Sequence, residues 1–231
     1  MIAQELRPGI YQISLGIVNV FLLDTGDLTL IDTGVPGSEE KILAAVREIG
    51  RKPTAIRQIL VTHLHADHSG SLAAVKEASG APVMMHQADA EMVRKGISSR
   101  PSTAAPGLIN KLIVNLVMAR RSPPAIDPVP VEEEIKDGQI LEQCGGLQVI
   151  HVPGHSAGQV AFYLPNHGGI LFAADAASHM MGLGYPPIFE DLELGLKSLK
   201  RLAKLDFQTA CFGHGKAITK DASARFRNKW D

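Results

Sequence analysis

The sequence is poor in cysteine and has no excess of charge of either sign. Cys144 and Cys211 are the only two cysteines among 231 residues. They lie far apart in the sequence, which favours two buried thiols over a disulfide, as is usual in a reducing compartment. The 23 basic side chains nearly balance the 24 acidic ones. This balance gives no electrostatic reason to expect a nucleic acid as the partner.

Long apolar runs are also absent. The longest of them, residues 112–119, is interrupted by Asn115 and is much shorter than the ~20 residues that a transmembrane helix requires. Residues 1–7 are polar and lack the basic start and the apolar stretch of a signal peptide. We therefore expect a soluble, cytoplasmic protein with no membrane partner.

Strand-rich segments followed by helices occur in both halves of the chain. Two sheets packed together, with helices on the outside, would satisfy this pattern, so we expect an α/β fold in a single domain over residues 1–231. A turn signal at Thr25-Gly26-Asp27 predicts a hairpin between two of the early strands. The predicted strands are 10–15, 18–24, 27–32, 58–62, 83–86, 147–152, 159–164, 169–174 and 208–212. The predicted helices are 38–49, 70–78, 87–95, 191–205 and 220–229.

Residues 97–131 differ from the rest and are predicted to form a helical insertion. Both ends are rich in Ser and Pro, and the middle is amphipathic. This segment could be a helix packed on the core, a lid over a functional site or the contact of a homodimer, and insertions of this length are often functional. Its apolar side chains fall on one helical face: Ile109, Leu112, Ile113, Leu116 and Val117.

A dense group of metal-binding side chains directly follows the strand predicted at 58–62. His63 and His65 are two residues apart on a segment that leaves a strand, so both side chains can point the same way. Asp67 and His68 follow on the turn into the next helix. Zinc and similar ions need several imidazoles and carboxylates that converge on one point. Four donors are too many for one ion with an open position, so they divide naturally between two ions.

Three further donors lie just after predicted strands. His155 stands in Pro153-Gly154-His155-Ser156, Asp175 ends the strand at 169–174, and His214 stands in Gly213-His214-Gly215. Each is flanked by turn residues or lies at a strand end, which favours a ligand over a buried structural role. With the first group, they make seven candidate ligands.

These motifs resemble those of the metallo-β-lactamase superfamily, and the resemblance extends from residue 30 to residue 215. It implies a four-layer αββα sandwich of two mixed sheets, with the metal ions at one edge between the sheets. The matching motifs are Leu30-Ile31-Asp32-Thr33-Gly34, His63-Leu64-His65-Ala66-Asp67-His68, Gly154-His155-Ser156, Asp175 and Gly213-His214-Gly215.

The resemblance also assigns the donors to two metal ions. It implies that His63, His65 and His155 hold the first. It implies that Asp67, His68 and His214 hold the second, that Asp175 bridges the two and that Asp32 orients the ligand loop from outside the ligand set, in keeping with the support that metal ligands generally need. Zinc is the expected metal, although the same donors can hold iron or manganese.

Two ions about 3.5–4 Å apart can share one water molecule and lower its pKa toward ~7. We therefore expect a dinuclear hydrolase that attacks a small ester, lactone or thioester with a metal-bridging hydroxide. Asp67 is predicted to orient this hydroxide and to pass a proton to the leaving group. His179 and Tyr185, which follow Asp175 on a predicted loop, are candidate substrate contacts.

The resemblance narrows the range of substrate classes but does not identify the substrate. Superfamily members that hydrolyse penicillins lack a bridging aspartate, so Asp175 disfavours that activity. Glyoxalase II enzymes and acyl-homoserine lactonases share all seven ligands, but glyoxalase II enzymes bind glutathione largely through a C-terminal helical domain, and only a short segment follows His214. Two alternatives remain open, a mono-iron persulfide dioxygenase that uses the first site and a non-catalytic metal-binding protein.

Overall fold

The computed structural model describes residues 2–114 and 125–231. The strands in these residues are β1 (Ala3–Arg7), β2 (Ile10–Ser14), β3 (Asn19–Leu23), β4 (Leu28–Ile31), β5 (Ile56–Val61), β6 (Val83–His86), β7 (Thr103–Ala104), β8 (Glu133–Ile135), β9 (Ile140–Leu141), β10 (Leu147–His151), β11 (Val160–Leu164), β12 (Ile170–Phe172), β13 (Ile188–Phe189) and β14 (Thr209–Cys211). The α-helices are α1 (Glu39–Glu48), α2 (Ala66–Ser69), α3 (Leu72–Ser79), α4 (Gln87–Arg94), α5 (Leu108–Ile113), α6 (Leu192–Ala203) and α7 (Ala222–Trp230).

The larger sheet contains seven strands in the order β1-β2-β3-β4-β5-β6-β8. Strands β1 to β4 are antiparallel neighbours, and β5, β6 and β8 continue from β4 in parallel. The predicted hairpin is therefore confirmed as β3-β4. The edge strand β1 was not predicted, because its sequence is polar and only Ala3 in it is fully buried. The Glu48 carboxylate accepts hydrogen bonds from the amides of Ile2 and Ala3.

The smaller sheet has five strands in the order β14-β12-β11-β10-β9. Its strands are antiparallel except for the parallel pair β12-β14. The two sheets are joined just after β5 and at the start of β11, where the Val160 amide donates to the Thr62 carbonyl at 2.9 Å. Both sheets are mixed, as the predicted fold requires.

The alternation of side chains along the strands divides the core into three layers. Along β3, Phe21 and Leu23 face the other sheet, whereas Val20 and Leu22 face helices α1, α3 and α4. The inter-sheet layer includes an edge-to-face contact of Phe21 with Phe172, whose ring centroids are 5.3 Å apart. The outer face of the smaller sheet packs against α6 and α7. Three apolar layers between two sheets and two sets of helices confirm the αββα sandwich.

The insertion predicted at 97–131 is only partly helical in the residues that are described. Strand β7 pairs with β13, and α5 follows it. Leu112 is exposed, and so is Leu108, so neither anchors a helix on the core. The side chains of Ile109, Ile113, Leu116 and Val117 lie outside the described part of the chain. Among the described residues, no helix has the length and apolar character needed to span a membrane.

Candidate metal centre

The candidate ligands lie at one edge of the sandwich, beyond the ends of several strands. The parallel pairs β4-β5 and β12-β14 send their C-terminal ends to the same side of their respective sheets. His63 follows β5, Asp175 follows β12 and His214 follows β14. The loop after β10 carries His155. This edge also lies where the two sheets are joined, so residues distant in sequence converge there.

Helix α2 places the last two donors of the first motif. His65 precedes its first residue with extended backbone angles (φ −60°, ψ 145°), and Asp67 and His68 occupy its single turn. His63 and His68 are completely buried. The change from extended chain to helix within six residues turns two side chains toward one cluster and two toward another.

Three imidazoles converge on the first cluster. His65 Nδ1 lies 3.1 Å from His63 Nε2 and 2.9 Å from His155 Nε2. Three nitrogens bound to one tetrahedral zinc ion, at about 2.0–2.1 Å each, are roughly 3.3 Å apart, so this spacing suits such an ion. Burial lowers the pKa of His65 to about 3, and it lowers the pKa values of His63 and His155 as well. All three side chains are therefore neutral at pH 7, which is the form that binds metals.

The second cluster contains Asp67, His68 and His214, whose donor atoms lie within 4.8 Å of one another. His214 Nε2 is 3.3 Å from Asp67 Oδ2. Burial alone would raise the pKa of Asp67, but its hydrogen bond with His214 and the nearby His68 hold that pKa well below its usual range. The carboxylate is therefore ionised and attracts a cation.

Asp175 lies between the two clusters. Its Oδ2 is 3.2 Å from His214 Nε2 and 3.6 Å from His155 Nε2, and its Oδ1 is 3.5 Å from His68 Nε2. Asp175 Oδ1 and His68 Nε2 are both buried and have no hydrogen-bond partner. Orphaned buried polar atoms are costly, and a cation between the imidazole and the carboxylate would satisfy both. The donor set thus fits the divalent ions that the motifs imply.

Asp32 supports the second cluster from behind. Its Oδ2 accepts a hydrogen bond from His68 Nδ1 at 2.8 Å and another from the Thr62 hydroxyl, while its Oδ1 accepts from the Thr62 amide. Asp32 has a left-handed φ of 63°, a conformation that Asp tolerates better than most residues. The hydrogen bond from His68 Nδ1 holds the ring so that Nε2 of His68 faces the cluster.

Sequence reasoning did not single out Thr62, which links the two clusters. Its hydroxyl lies 3.0 Å from His63 Nδ1 and donates to Asp32. A polar residue at the end of a buried strand, just before a ligand, is the signal that could have revealed it. Backbone carbonyls orient two other ligands in the same way, Ile188 for His155 Nδ1 and Ile17 for His214 Nδ1.

Close packing leaves no room for a larger residue beside the centre. A Cβ atom on Gly213 would collide with Asp175 Oδ1 and would lie 2.6 Å from His68 Cε1. Ala174, just before Asp175, has a left-handed φ of 47°. Strained backbone of this kind persists where the surrounding structure enforces it, often at functional sites.

The two candidate substrate contacts lie in different environments. His179 lines a cavity of about 490 Å³ together with Ile17 and Met180, and its amide donates to the carbonyl of His214. Tyr185 is partly buried and packs against aromatic side chains. Its ring centroid lies 6.4 Å from the ring centroid of Trp230. The structure therefore brings His179 next to the centre and places Tyr185 against α7.

A model of the metallo-β-lactamase superfamily matches residues 13–214. The chain is 31% identical to the uncharacterised protein YobT of Bacillus subtilis, over 91% of this chain and 88% of that protein. It is 30% identical to a hydroxyacylglutathione hydrolase of Cereibacter sphaeroides, over 87% of this chain but only 62% of that enzyme. A metallo-β-lactamase of Cronobacter sakazakii, solved as a motif mutant, aligns with a TM-score of 0.71 and 26% identity over 93% of this chain and 81% of that one.

The protein belongs to the metallo-β-lactamase superfamily of metallohydrolases. The αββα fold, the histidine and aspartate clusters at its edge and the extent of the family match agree on this assignment. The relatives include proteins named for different substrates, so membership by itself does not select one.

Proposed function

We propose that this protein is a dinuclear metallohydrolase that cleaves a small ester, lactone or thioester. The observation that carries the proposal is the position of Asp175 between the two clusters. Its Oδ2 lies near His155 of the first cluster and His214 of the second, and its Oδ1 faces His68 of the second. A carboxylate in this position suits two cations better than one. We assign His63, His65 and His155 to one zinc ion. The second cluster, Asp67, His68 and His214, would hold the other zinc ion.

Two divalent ions held by these residues would supply a water molecule of lowered pKa and would polarise a substrate carbonyl. The chain itself contributes orientation and proton transfer. Asp67 is the most exposed of the seven donors, with 32% of its side chain accessible, while its neighbour His214 is 12% accessible. An ionised carboxylate at the solvent edge can accept a proton from the attacking water and return it to the leaving oxygen or sulfur.

The cavity beside His214 supports a small substrate with an apolar part. Its volume of about 490 Å³ lies within the ~300–1,000 Å³ typical of small-molecule sites. Ile17 and Met180, which line the cavity, are 65% and 61% exposed. Apolar side chains exposed beside a polar centre suit the acyl or alkyl chain of an ester or lactone, with the carbonyl directed toward the ions that the two clusters would hold.

The proposal is tested by metal analysis combined with a substrate panel. The purified protein is loaded with zinc and assayed against lactones, acyl thioesters including S-acylglutathione, aryl esters and a cephalosporin. We expect turnover of at least one of the first three classes, its loss with a chelator and its recovery with zinc. His63→Ala and His214→Ala should each abolish turnover, whereas His167→Asn, at an exposed turn, should not.

Other outcomes would select the alternatives. One iron per chain, with oxygen consumed in the presence of a persulfide, would identify an oxidoreductase that uses only the first site. A protein that binds metal but turns over none of the substrates would favour a non-catalytic role. Turnover of the cephalosporin alone would contradict the proposed substrate class.

A further inference from the structure

Helix α4 carries a fully buried carboxylate, that of Asp89, close to the first metal cluster. Its Oδ2 accepts hydrogen bonds from the Leu64 amide at 3.1 Å and the Ser156 hydroxyl at 2.5 Å. Its Oδ1 accepts from the Gly158 amide at 2.9 Å and from Arg100 Nη1 at 2.6 Å. Although the Arg100 side chain is 21% accessible, Asp89 is 0% exposed, and its bonds with Leu64, Ser156 and Gly158 are buried. It belongs to neither metal-binding cluster.

The donors to Asp89 lie next to the ligands of the first cluster. Leu64 stands between His63 and His65, and Ser156 directly follows His155. One carboxylate oxygen, Oδ2, therefore ties together two chain segments that are about 90 residues apart and that together supply the three imidazoles of that cluster. None of these four donors is adjacent in the sequence to His214 or Asp175.

The backbone of the second segment is packed against Asp89 as closely as a glycine allows. A Cβ atom on Gly158 would lie 2.7 Å from both the amide nitrogen and Oδ1 of Asp89. Any larger residue there would force the 155–158 loop away from helix α4. The distance between this loop and the helix is therefore fixed by contact as well as by hydrogen bonds.

Arg100 provides the opposite charge from the segment predicted as an insertion. Besides Asp89, its Nη1 contacts Glu190 Oε1 at 3.4 Å, and its Nη2 donates to the Ala88 carbonyl. Glu190 Oε2 in turn accepts from the Ala157 amide at 2.8 Å. Asp89, Arg100 and Glu190 thus hold the 155–158 loop from two sides.

A buried ion pair of this kind is a poor source of stability. Replacing one with apolar residues of similar volume is often neutral or stabilising, because desolvation of the charges offsets their attraction. What Asp89 supplies that an apolar side chain could not is four directed hydrogen bonds to elements on different sides of the cluster. Such an arrangement fixes the relative positions of the chain segments that it joins.

From this geometry we propose that Asp89 is a positioning residue that sets the spacing of His63, His65 and His155, with Arg100 as its counter-charge. This inference rests on the proposed function, because it requires that the three imidazoles bind a metal ion. Substitutions of residues that support metal ligands typically weaken metal binding about 10–100-fold. The effect should be confined to the first cluster.

The test measures zinc affinity one site at a time by competition with a chromophoric chelator. In a His214→Ala background the remaining ion occupies the first site, and in a His63→Ala background it occupies the second. Asp89→Asn keeps the shape of the side chain but replaces one acceptor oxygen with a donor. We expect it to weaken first-site binding about 10–100-fold and second-site binding less than about threefold. The Co²⁺ absorption spectrum of the first site should change in parallel.

The matched control is Glu91→Gln on the same helix, where the 61% exposed side chain pairs with Arg94 and Lys95. This variant should change neither affinity. If Asp89→Asn does not fold, Ser156→Ala, which removes a single donor, should give a smaller loss at the first site only. If the parent protein binds zinc but Asp89→Asn weakens binding equally at the two sites, or at neither, the positioning role of Asp89 is wrong. The proposed function is unaffected by that result. A parent protein that binds no zinc would overturn the proposed function as well.

Discussion

Asp175 Oδ1 and His68 Nε2 face each other at 3.5 Å, both are buried and neither has a hydrogen-bond partner. A protein interior rarely tolerates such a pair without compensation. Against the effect of burial, Asp175 and Asp32 raise the pKa of His68 to about 9. A divalent cation that displaces the Nε2 proton would interact favourably with both atoms, because the carboxylate is ionised and the deprotonated nitrogen offers its lone pair.

Asp32→Asn should weaken zinc binding at the second site. The variant keeps the size of the side chain, and Asn also tolerates the left-handed φ of this position. It cannot, however, accept all three hydrogen bonds, because its NH₂ group would face either the Thr62 amide or the pair of donors formed by His68 Nδ1 and the Thr62 hydroxyl. We expect a loss of about 10–100-fold in zinc affinity, measured by chelator competition in the His63→Ala background. Asp206→Asn, at a 91% exposed side chain, is the control, and equal affinities of the two variants would contradict the orienting role.

Gly213→Ala should disturb the space between the clusters. The added methyl group collides with Asp175 Oδ1 and His68 Cε1, and overpacking of this kind typically costs about 1–3 kcal/mol. We expect a lower free energy of unfolding in denaturant titrations and fewer zinc ions per chain. Gly184→Ala is the matched variant, because its Cβ atom would meet nothing closer than 3.9 Å. If both variants bind zinc equally, the centre is less tightly packed than described.

Asp67→Asn tests the proton-transfer role. An amide can still approach the second ion through its oxygen but cannot exchange a proton at neutral pH. General acid–base catalysis contributes about 100–10,000-fold, so we expect kcat to fall within that range while two zinc ions remain bound. The measurement is steady-state kinetics on the metal-loaded variant, with metal content determined on the same sample. Full turnover with both ions present would reject this role for Asp67.

Removing the metal should destabilise the fold. Ions that bind the folded state stabilise it by about 2.7 kcal/mol at 100 times their Kd, and each kcal/mol shifts Tm by about 2–4 °C in a protein of this size. Tm should therefore fall on chelation and return with zinc. Magnesium, which prefers oxygen ligands, should not restore it. An unchanged Tm would indicate that the folded protein holds no tightly bound ion.

Local sequence patterns were sufficient to predict most of the larger strands and all seven candidate ligands. The nearly continuous apolar run of β3 indicates a strand buried on both faces, and His63 to His68 form one contiguous motif. The edge strands β1 and β8 were missed, because polar residues such as Glu5 and Glu133 hide their strand character. Edge strands commonly carry charge, which limits pairing with other chains.

The role of Asp89 could not be predicted in the same way. Its hydrogen bonds join residues 11 to 69 positions away in sequence, and no local period encodes such contacts. In the sequence it reads as an acidic residue in the first turn of a helix, which is a common exposed position. Only the folded chain shows that it is buried between two ligand-bearing loops.

The most direct test of the account is the number and identity of the metal ions bound per chain. Elemental analysis of the purified, zinc-reconstituted protein should give two zinc ions per chain, and Asp175→Asn should reduce this number to one or fewer. One ion per chain in the parent protein, with no change in Asp175→Asn, would contradict a shared centre bridged by Asp175.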